Sequence, residues 1–298
     1  MCGIVGLHLK NDSGHQPLGA QLASMLECMT TRGPDSAGLA LYTDPLTAGR
    51  QRYSVRLPEH ADAVDVARRA GAELGSDVLV ESVRPDGATF VSAGDEDAVQ
   101  AAVTAAEMDA VVVGFGTAIE VFKDVGSPRS ICDRYGIAER PAYQAVGHTR
   151  MATESAVTTD GSHPFAVASD LALVHNGTFS NYATVRRKLE REGIGCTTAN
   201  DSEVCARFIA LQMSRGADLE DALKMVLKEL DGFYTLLVST ATEFAVVRDS
   251  FACKPAVVAE NDDYVAFGSE FHALGSLPDV GNATVFEPMP EEIHVWRR

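Results

Sequence analysis

The feature that most constrains this 298-residue chain is a cysteine directly after the initiator methionine, in the segment Met1-Cys2-Gly3-Ile4-Val5-Gly6. If Met1 is removed, Cys2 carries both a thiol and a free α-amine. An α-amine titrates at a pKa of about 7.7–8.0 and a cysteine thiol at about 8.5, so the two groups are matched for proton transfer. One residue would then supply the nucleophile and the general base together. The alternative is a small buried cysteine at the start of an edge strand.

The net charge of the chain argues against some kinds of binding partner. The chain has 25 basic and 42 acidic residues and a net charge of −17. This excess of acids argues against nonspecific binding to nucleic acid or to an anionic membrane surface. No apolar run reaches the ~20 residues that span a bilayer, and no secretory signal opens the chain. We therefore expect a cytoplasmic protein.

The cysteines show no metal-binding pattern. The six are Cys2, Cys28, Cys132, Cys196, Cys205 and Cys253. None forms a CxxC pair, and none lies at metal-ligand spacing from a histidine. We therefore predict no metal and no cofactor, and we expect most of these thiols to be reduced core residues.

The order of the predicted elements divides the chain into a main body and an insertion. Residues 52–114 follow the order β-α-β-β-α-β, which is the split ferredoxin-like arrangement. We predict that they form a small subdomain inserted in the main domain of residues 2–298, and that it carries no catalytic residue. Upstream, apolar residues recur at helical spacing over residues 18–31. Downstream, residues 117–143 are predicted to form a helix or a loop.

Arg150 is predicted to lie at the end of a strand, next to His148 and Thr149. A guanidinium there could hold a substrate carboxylate through two parallel hydrogen bonds. The alternative is that Arg150 pairs with one of the many surface acids. His148 is expected to be structural, because a histidine on a strand is more often a satisfied structural group than a base.

Asn176 and Gly177 are predicted to end a strand in a tight turn, which Asn-Gly sequences favour. A side-chain amide and a backbone N–H there could both point at a developing oxyanion. A plain turn is one alternative. Glycosylation is another, because Asn176-Gly177-Thr178 fits the acceptor pattern, but glycosylation requires a secretion signal that the sequence does not show.

Asn200 and Glu203 resemble a helix-capping pair, with Asn in place of Ser or Thr. Such a cap would leave the carboxylate of Asp201 free. A free carboxylate at the start of a helix could bind the ammonium group of a substrate.

Five motifs occur along the chain in order: residues 2–6 (CGIVG), 32–38 (RGPDSAG), 148–153 (HTRMAT), 175–177 (HNG) and 200–203 (NDSE). Together they resemble the class II glutamine amidotransferases, and the resemblance covers the chain except residues 52–114. It implies an α+β fold of the N-terminal nucleophile hydrolase type. In that four-layer αββα sandwich, two antiparallel sheets face each other between two helix layers. It also implies that the glutamine side-chain amide is hydrolysed through a thioester on the N-terminal cysteine.

The resemblance assigns roles by position in the motifs. Cys2 would be the nucleophile and its α-amine the base. Asn176 and the N–H of Gly177 would form the oxyanion hole. Arg150 would bind the α-carboxylate of glutamine, and Asp201 would bind its α-ammonium.

The resemblance also places Thr153 in the lining of the pocket, where the chain departs from the family twice. Many members carry Trp at the position of Met151 and His at the position of Glu154. These positions shape the rim of the pocket, so the coupling to a partner could differ in this protein.

A finer resemblance concerns residues 120–126 (EVFKDVG). They look like the free-standing glutaminase subunits of glutamate synthase-like complexes, including N-methylglutamate synthase. This resemblance implies that ammonia passes to separate, flavin-containing synthase subunits. The loops of residues 32–36 and 151–164 are the candidates for sensing that partner.

Two other kinds of function stay open on the sequence alone. The first is an N-terminal nucleophile hydrolase of a different amide, and the second is a catalytically inactive regulatory or assembly module. Arg150 together with Asp201 favours an α-amino acid substrate over the first. The presence of Cys2, Asn176 and Gly177 argues against the second.

Overall fold

The computed structural model describes residues 2–11, 18–47, 49–151 and 157–298. The strands are, in chain order, β1 (Gly3–Leu9), β2 (Ser36–Tyr42), β3 (Gln51–Arg56), β4 (Val78–Arg84), β5 (Gly87–Ser92), β6 (Val111–Gly116), β7 (Ile119–Val125), β8 (Gln144–Arg150), β9 (Phe165–Ala168), β10 (Leu171–Phe179), β11 (Gly232–Ser239), β12 (Glu243–Arg248), β13 (Val257–Glu260), β14 (Tyr264–Gly268), β15 (Thr284–Phe286) and β16 (Ile293–Arg297). The helices are α1 (Leu18–Cys28), α2 (Ala63–Leu74), α3 (Glu96–Ala106), α4 (Pro128–Arg134), α5 (Tyr182–Arg191), α6 (Asp201–Ser214), α7 (Leu219–Glu229) and α8 (Phe271–Leu274). Within the described ranges, none of the helices has the length and apolar character needed to cross a membrane.

The first sheet has seven antiparallel strands in the order β15-β13-β14-β1-β8-β2-β7. Helices α1, α4 and α8 pack on one face of it. Helix α1 is amphipathic, and its buried side chains, including Leu22 and Met25, meet Val5 and Leu39 of the sheet in one core. The predicted helix over residues 18–31 ends at Cys28 and is followed by a 3₁₀ turn, Thr30–Arg32.

The second sheet has five antiparallel strands in the order β16-β12-β11-β10-β9. Helices α5, α6 and α7 cover its outer face around a second core. Between the two sheets lies a third core, in which Ile4 and Val146 of the first sheet face Val174 and Leu237 of the second. The layers run helix, sheet, sheet, helix, which confirms the predicted four-layer αββα sandwich.

A third antiparallel sheet has the order β4-β5-β3-β6, and α2 and α3 pack around its own core. Counted along the chain, the strand order is second, third, first, fourth, which is the order of a ferredoxin-like sheet; that these residues are an inserted subdomain stays a prediction. Each helix begins at an aspartate whose side chain accepts a backbone N–H of the first turn: Asp62 accepts from Asp65, and Asp95 accepts from Ala98. Gly75, in the left-handed conformation at φ +70°, ends α2.

The prediction of a helix or loop over residues 117–143 was wrong in its first part. Residues Ile119–Val125 form β7 at the edge of the first sheet, paired with β2, and α4 begins only at Pro128. Glu120 and Lys123 interrupt the apolar pattern of this strand, yet both are buried. Buried charged side chains are rare, so two charged residues in this stretch did not indicate a buried strand.

The end of the first sheet that carries Cys2 is fixed by strand pairing. Gly3 lies opposite Thr149 in the β1–β8 pair, so Cys2 and Arg150 flank the same edge of the sheet. A side chain at position 3 would not fit, because a Cβ atom there would lie 2.8 Å from Cβ of Met29. The glycine after the cysteine therefore lets the start of the chain lie against the turn that follows α1.

Candidate active site

Five of the six predicted site residues line one open cleft of about 430 Å³. They are Cys2, Arg150, Asn176, Gly177 and Asp201. The sixth, Thr153, lies outside the described residues, as does Glu154. Residues from both sheets and from the start of α6 thus converge at one place.

Arg150 is the last residue of β8, and its side chain is only 6% exposed. The loop after the 3₁₀ turn supports its backbone, because Asp35 donates its N–H to the Arg150 carbonyl at 3.1 Å. Gly33 lies directly against this peptide: a Cβ there would be 2.6 Å from the backbone carbon of Arg150. The backbone from which the Arg150 side chain reaches the cleft is therefore held in place.

The prediction that Asn176 and Gly177 form a turn was wrong. Both lie within β10, opposite Thr235 and Tyr234 of β11. Pairing with β11 overrides the local turn preference of Asn-Gly. Gly177 has φ +149°, and a Cβ there would lie 2.0 Å from the carbonyl oxygen of Phe233, so only glycine fits.

The backbone N–H of Gly177 is not used by β11. The peptide groups of Tyr234, which lies opposite, are both bound to Asp249: Tyr234 donates to Asp249 Oδ1 at 2.9 Å, and Asp249 donates back at 3.1 Å. Opposed residues in antiparallel strands alternate between bonded and non-bonded pairs. Gly177 and Tyr234 are therefore a non-bonded pair, and the Gly177 N–H points to the other edge of β10.

That other edge is open to the cleft. Strand β9 pairs with β10 only up to Leu173. Beyond it, the His175 carbonyl accepts a hydrogen bond from His148 at 2.9 Å, and the Phe179 N–H donates to Asp201 at 2.8 Å. Gly177 lies between these two residues, so its N–H faces the same edge.

The side-chain amide of Asn176 is a second hydrogen-bond donor at the cleft. Asn176 is 3% exposed, and its Nδ2 has no hydrogen-bond partner among the described residues. Leaving a buried N–H donor unpaired costs about 1–3 kcal/mol. Such a donor is explained if a bound ligand supplies the oxygen.

The carboxylate of Asp201 is not free, contrary to the sequence-based prediction. Its Oδ2 accepts the Phe179 N–H, and its Oδ1 accepts from the Ser202 hydroxyl at 3.3 Å. His175 Nδ1 lies 3.9 Å from Oδ1. A carboxylate offers about four acceptor positions, so Asp201 keeps capacity for a ligand that donates hydrogen bonds.

Of the predicted capping pair at the start of α6, only Asn200 acts as predicted. Asn200 is the N-cap and accepts the Ser202 N–H at 3.0 Å. Glu203 does not reach back to it. Its buried carboxylate instead accepts from the backbone and hydroxyl groups of Thr197 and Thr198, and from Arg207 at 2.7 Å. This fixes the loop that leads into the cleft.

Three buried histidines lie at the cleft, two of which, His163 and His175, line it, and burial lowers the pKa of each. The pKa of His148 falls to about 3, that of His175 to about 4, and that of His163 well below its usual value. All three are therefore neutral at pH 7. His148 Nε2 carries a proton, because the His175 carbonyl can only accept; this agrees with the expectation that His148 is structural.

The sequence analysis assigned no role at this site to two cationic residues that the structure places there. Lys254, after β12, lines the cleft, and Arg32 donates from Nε to the carbonyl of Cys2 at 3.0 Å. Arg32 belongs to the second sequence motif, residues 32–38, but that motif indicated no contact with Cys2; Lys254 belongs to none of the five motifs. Among the residues described, no three His, Cys, Asp or Glu side chains converge as a metal site would require.

Comparison with known proteins identifies the family and agrees with this fold. A family model described as a glutamine amidotransferase domain matches residues 148–276. The glutamine amidotransferase-like protein GlxB of Rhizobium meliloti (strain 1021) is 44% identical over 297 residues, which cover 99% of this chain and 98% of that protein.

Two solved structures share the fold. The allosteric regulatory enzyme of purine biosynthesis superimposes with a TM-score of 0.62 at 21% identity, covering 99% of this chain and 47% of that one. Glutamine phosphoribosylpyrophosphate amidotransferase from B. subtilis, complexed with ADP and GMP, gives 0.59 at 21% identity and the same coverage. This chain thus spans about half the length of each. The chain belongs to the class II glutamine amidotransferases, and it shares the fold of the two solved structures.

Proposed function

We propose that this cleft hydrolyses the side-chain amide of glutamine through a thioester on Cys2, once removal of Met1 has freed the α-amine. The amine takes the thiol proton as the sulfur attacks the amide carbon. The same proton then passes to the amide nitrogen as the C–N bond breaks, which releases ammonia. Water, activated by the amine, hydrolyses the thioester to glutamate and restores the thiol.

One observation carries this proposal: two N–H donors face the cleft that Cys2 lines. One is the buried Nδ2 of Asn176, which has no partner among the described residues, and the other is the backbone N–H of Gly177, on the edge of β10 that does not pair with β11. Both belong to rigid structure, so they need no reorganisation when negative charge develops on the amide oxygen. Donors arranged in this way are the main means of stabilising a tetrahedral intermediate.

The charges in the cleft support glutamine over another amide. Arg150 and Asp201 bring one cation and one anion to the same space. This pair complements the carboxylate and ammonium of an α-amino acid, and it leaves the side-chain amide to reach Cys2. A catalytically inactive module would have no use for the unpaired Asn176 amide.

The test is glutaminase activity of Cys2→Ala and Asn176→Ala, with Cys253→Ala as control because Cys253 is exposed and does not line the cleft. Cys2→Ala should be inactive. Asn176→Ala should lose about 10²–10³-fold in kcat, the usual effect of removing one oxyanion donor. Activity of Asn176→Ala within about twofold of wild type would remove the basis of the proposal.

We further propose that the ammonia is used by separate, flavin-containing subunits of a glutamate synthase-like or N-methylglutamate synthase complex. Support comes from the resemblance of residues 120–126 and from an apolar side chain that lines the cleft, Met151, which is 38% exposed. Ammonia released into water is largely protonated at neutral pH and lost as a nucleophile. A reducing compartment such as the cytoplasm suits an enzyme that needs a free thiol.

Turnover should accordingly be slow for the isolated protein and rise when its co-purifying synthase subunits are added. The described parts of the loops of residues 32–36 and 151–164 are the proposed sites of contact. A glutaminase assay with and without those subunits decides the point. Full activity alone, unchanged by any partner, would indicate a self-sufficient glutaminase.

A further inference from the structure

Arg32 joins the backbone of Cys2 to a carboxylate far away in the sequence. Its side chain is mostly buried, with 10% exposed. Nε donates to the Cys2 carbonyl at 3.0 Å, and Nη1 donates to Glu270 Oε1 at 2.5 Å. The remaining nitrogen, Nη2, is buried and has no partner within the described part of the chain. The guanidinium is therefore held between Cys2 on one side and Glu270 on the other.

The residue before Glu270 holds the next part of the same strand. Ser269 accepts the Ile4 N–H on its hydroxyl at 2.9 Å and donates its own N–H to the Ile4 carbonyl at 2.9 Å. The short segment after β14 thus contacts the start of β1 twice, directly at Ile4 and through Arg32 at Cys2. This places Glu270 beside the nucleophile, although it does not line the cleft.

Removal of Met1 makes a contact that holds the backbone of Cys2 necessary. Once Met1 is removed, Cys2 is the terminal residue, and chain termini are poorly ordered unless they are tied down. Its α-amine must stay available to exchange the thiol proton, so it cannot also serve as an anchor. The carbonyl is the remaining backbone group of Cys2, and Arg32 holds it.

An ion pair in this position contributes little to folding. The Glu270 side chain is 45% exposed, and exposed ion pairs add little to stability. Its effect on geometry is larger, because displacement of a reacting group by about 1 Å can cost a factor of about 10² in rate.

We propose that Glu270 is a positioning residue of the glutaminase. It holds Arg32, and Arg32 holds the Cys2 carbonyl so that the thiol and the α-amine face Asn176 and Gly177. The proposal rests on the proposed function, since it takes Cys2 as the nucleophile.

The experiment compares Glu270→Ala and Glu270→Gln with the control Glu260→Ala. Glu260, at the end of β13, pairs at 2.7 Å with Lys10, which directly follows β1, so the control removes a partly exposed ion pair near the opposite end of that strand. Glu270→Ala should lower kcat roughly tenfold and change KM by less than about twofold. Glu270→Gln keeps an oxygen that can accept from Arg32, and it should recover most of kcat. Glu260→Ala should match wild type.

The pH dependence separates positioning from general damage. The charged groups around Cys2 are Arg32 and Glu270 on one side, and Arg150, Asp201 and Lys254 in the cleft. Glu270→Gln leaves the Arg32 charge uncompensated, which favours the neutral form of the nearby α-amine. The acidic limb of the kcat/KM profile should then move to lower pH. A general structural defect would lower the rate without moving the limb.

The outcomes test the role of Glu270 separately from the proposed glutaminase function. Wild-type kcat in Glu270→Ala at every pH, or a change in KM alone, would overturn the role of Glu270 and leave the proposed function standing. Activity in Cys2→Ala would overturn the proposed function itself.

Discussion

At the scale of single residues, Arg150 and Asp201 present opposite charges within one cleft. Arg150 rises from the end of β8 and is almost fully buried, whereas Asp201 begins α6 and already accepts two hydrogen bonds. A planar guanidinium can hold a carboxylate through two parallel bonds, and the compact ammonium of lysine cannot. Recognition of the α-carboxylate should therefore depend on the shape of the Arg150 side chain as well as on its charge.

Arg150→Lys should reduce glutamine turnover at least about tenfold, equivalent to ~1.4 kcal/mol of transition-state binding. Arg134→Lys, a conservative change at an exposed position on α4, is the matched control. Steady-state kinetics with glutamine measure the effect. A variant that hydrolyses glutamine as well as wild type would show that Arg150 does not bind the carboxylate.

The sequence predicted which residues meet in the cleft better than it predicted their contacts. The motifs placed Cys2, Asn176 and Asp201 together, because each motif is a short stretch of adjacent residues whose pattern can be recognised. The contacts between Cys2, Arg32 and Glu270 could not be predicted. They join the residue before β1, the 3₁₀ turn Thr30–Arg32 and the segment after β14, which lie far apart in the sequence.

At the scale of elements, β10 determines the geometry of the oxyanion donors. It pairs with β11 from Ala172 to Phe179 and with β9 only at its start, so its second half has one edge that β9 does not cover. The sequence suggested a turn here because Asn-Gly is a local signal, while strand pairing is a long-range one.

The sequence analysis missed strand β7 because the contacts that bury its charged residues are also long-range. Lys123 is buried and donates to the carbonyls of residues 160, 162 and 164, and burial lowers its pKa to about 8.

Gly177→Ala should lower both stability and activity. The added Cβ would lie 2.0 Å from the Phe233 carbonyl oxygen, at a φ that side chains rarely adopt. Backbone strain of this kind costs about 1–3 kcal/mol, and displacement of the N–H should lower kcat further. Denaturant unfolding and glutaminase assays measure the two effects.

Gly195→Ala is the control, because a Cβ there meets nothing within 4 Å. It should unfold and turn over like wild type. If Gly177→Ala did the same, the close packing of β10 against β11 would not be required for catalysis.

At the scale of the whole molecule, buried neutral histidines connect the two sheets. His148 comes from the first sheet, His175 from the second, and His163 from the loop between β8 and β9. The rings of His148 and His163 lie 3.9 Å apart. The same loop contacts the third sheet, since Arg56 of β3 pairs with Asp160 at 3.1 Å.

These histidines should make stability fall in mild acid. The unfolded chain binds a proton at each imidazole below about pH 6.5, whereas the folded pKa is about 3 for His148 and about 4 for His175. Stability is therefore complete above about pH 6.5 and decreases as pH falls toward the folded values. The loss at about pH 5 is roughly 2 kcal/mol for each of the two.

Urea unfolding at about pH 7.5 and about pH 5 measures this loss, above the range where most carboxylates titrate. His60→Gln, at a histidine whose side chain is 70% exposed, is the control and should show the same decrease as wild type. A free energy of unfolding that is equal at both pH values would contradict the account of the buried histidines.

The central claim is that Cys2 acts with its own freed α-amine as base. While Met1 is attached, the Cys2 nitrogen is part of a peptide bond and cannot take the thiol proton. Intact-mass measurement on the native, active protein, paired with its glutaminase assay, tests the claim most directly. The account predicts that the active chain begins at Cys2; a fully active protein that still carries Met1 would contradict it.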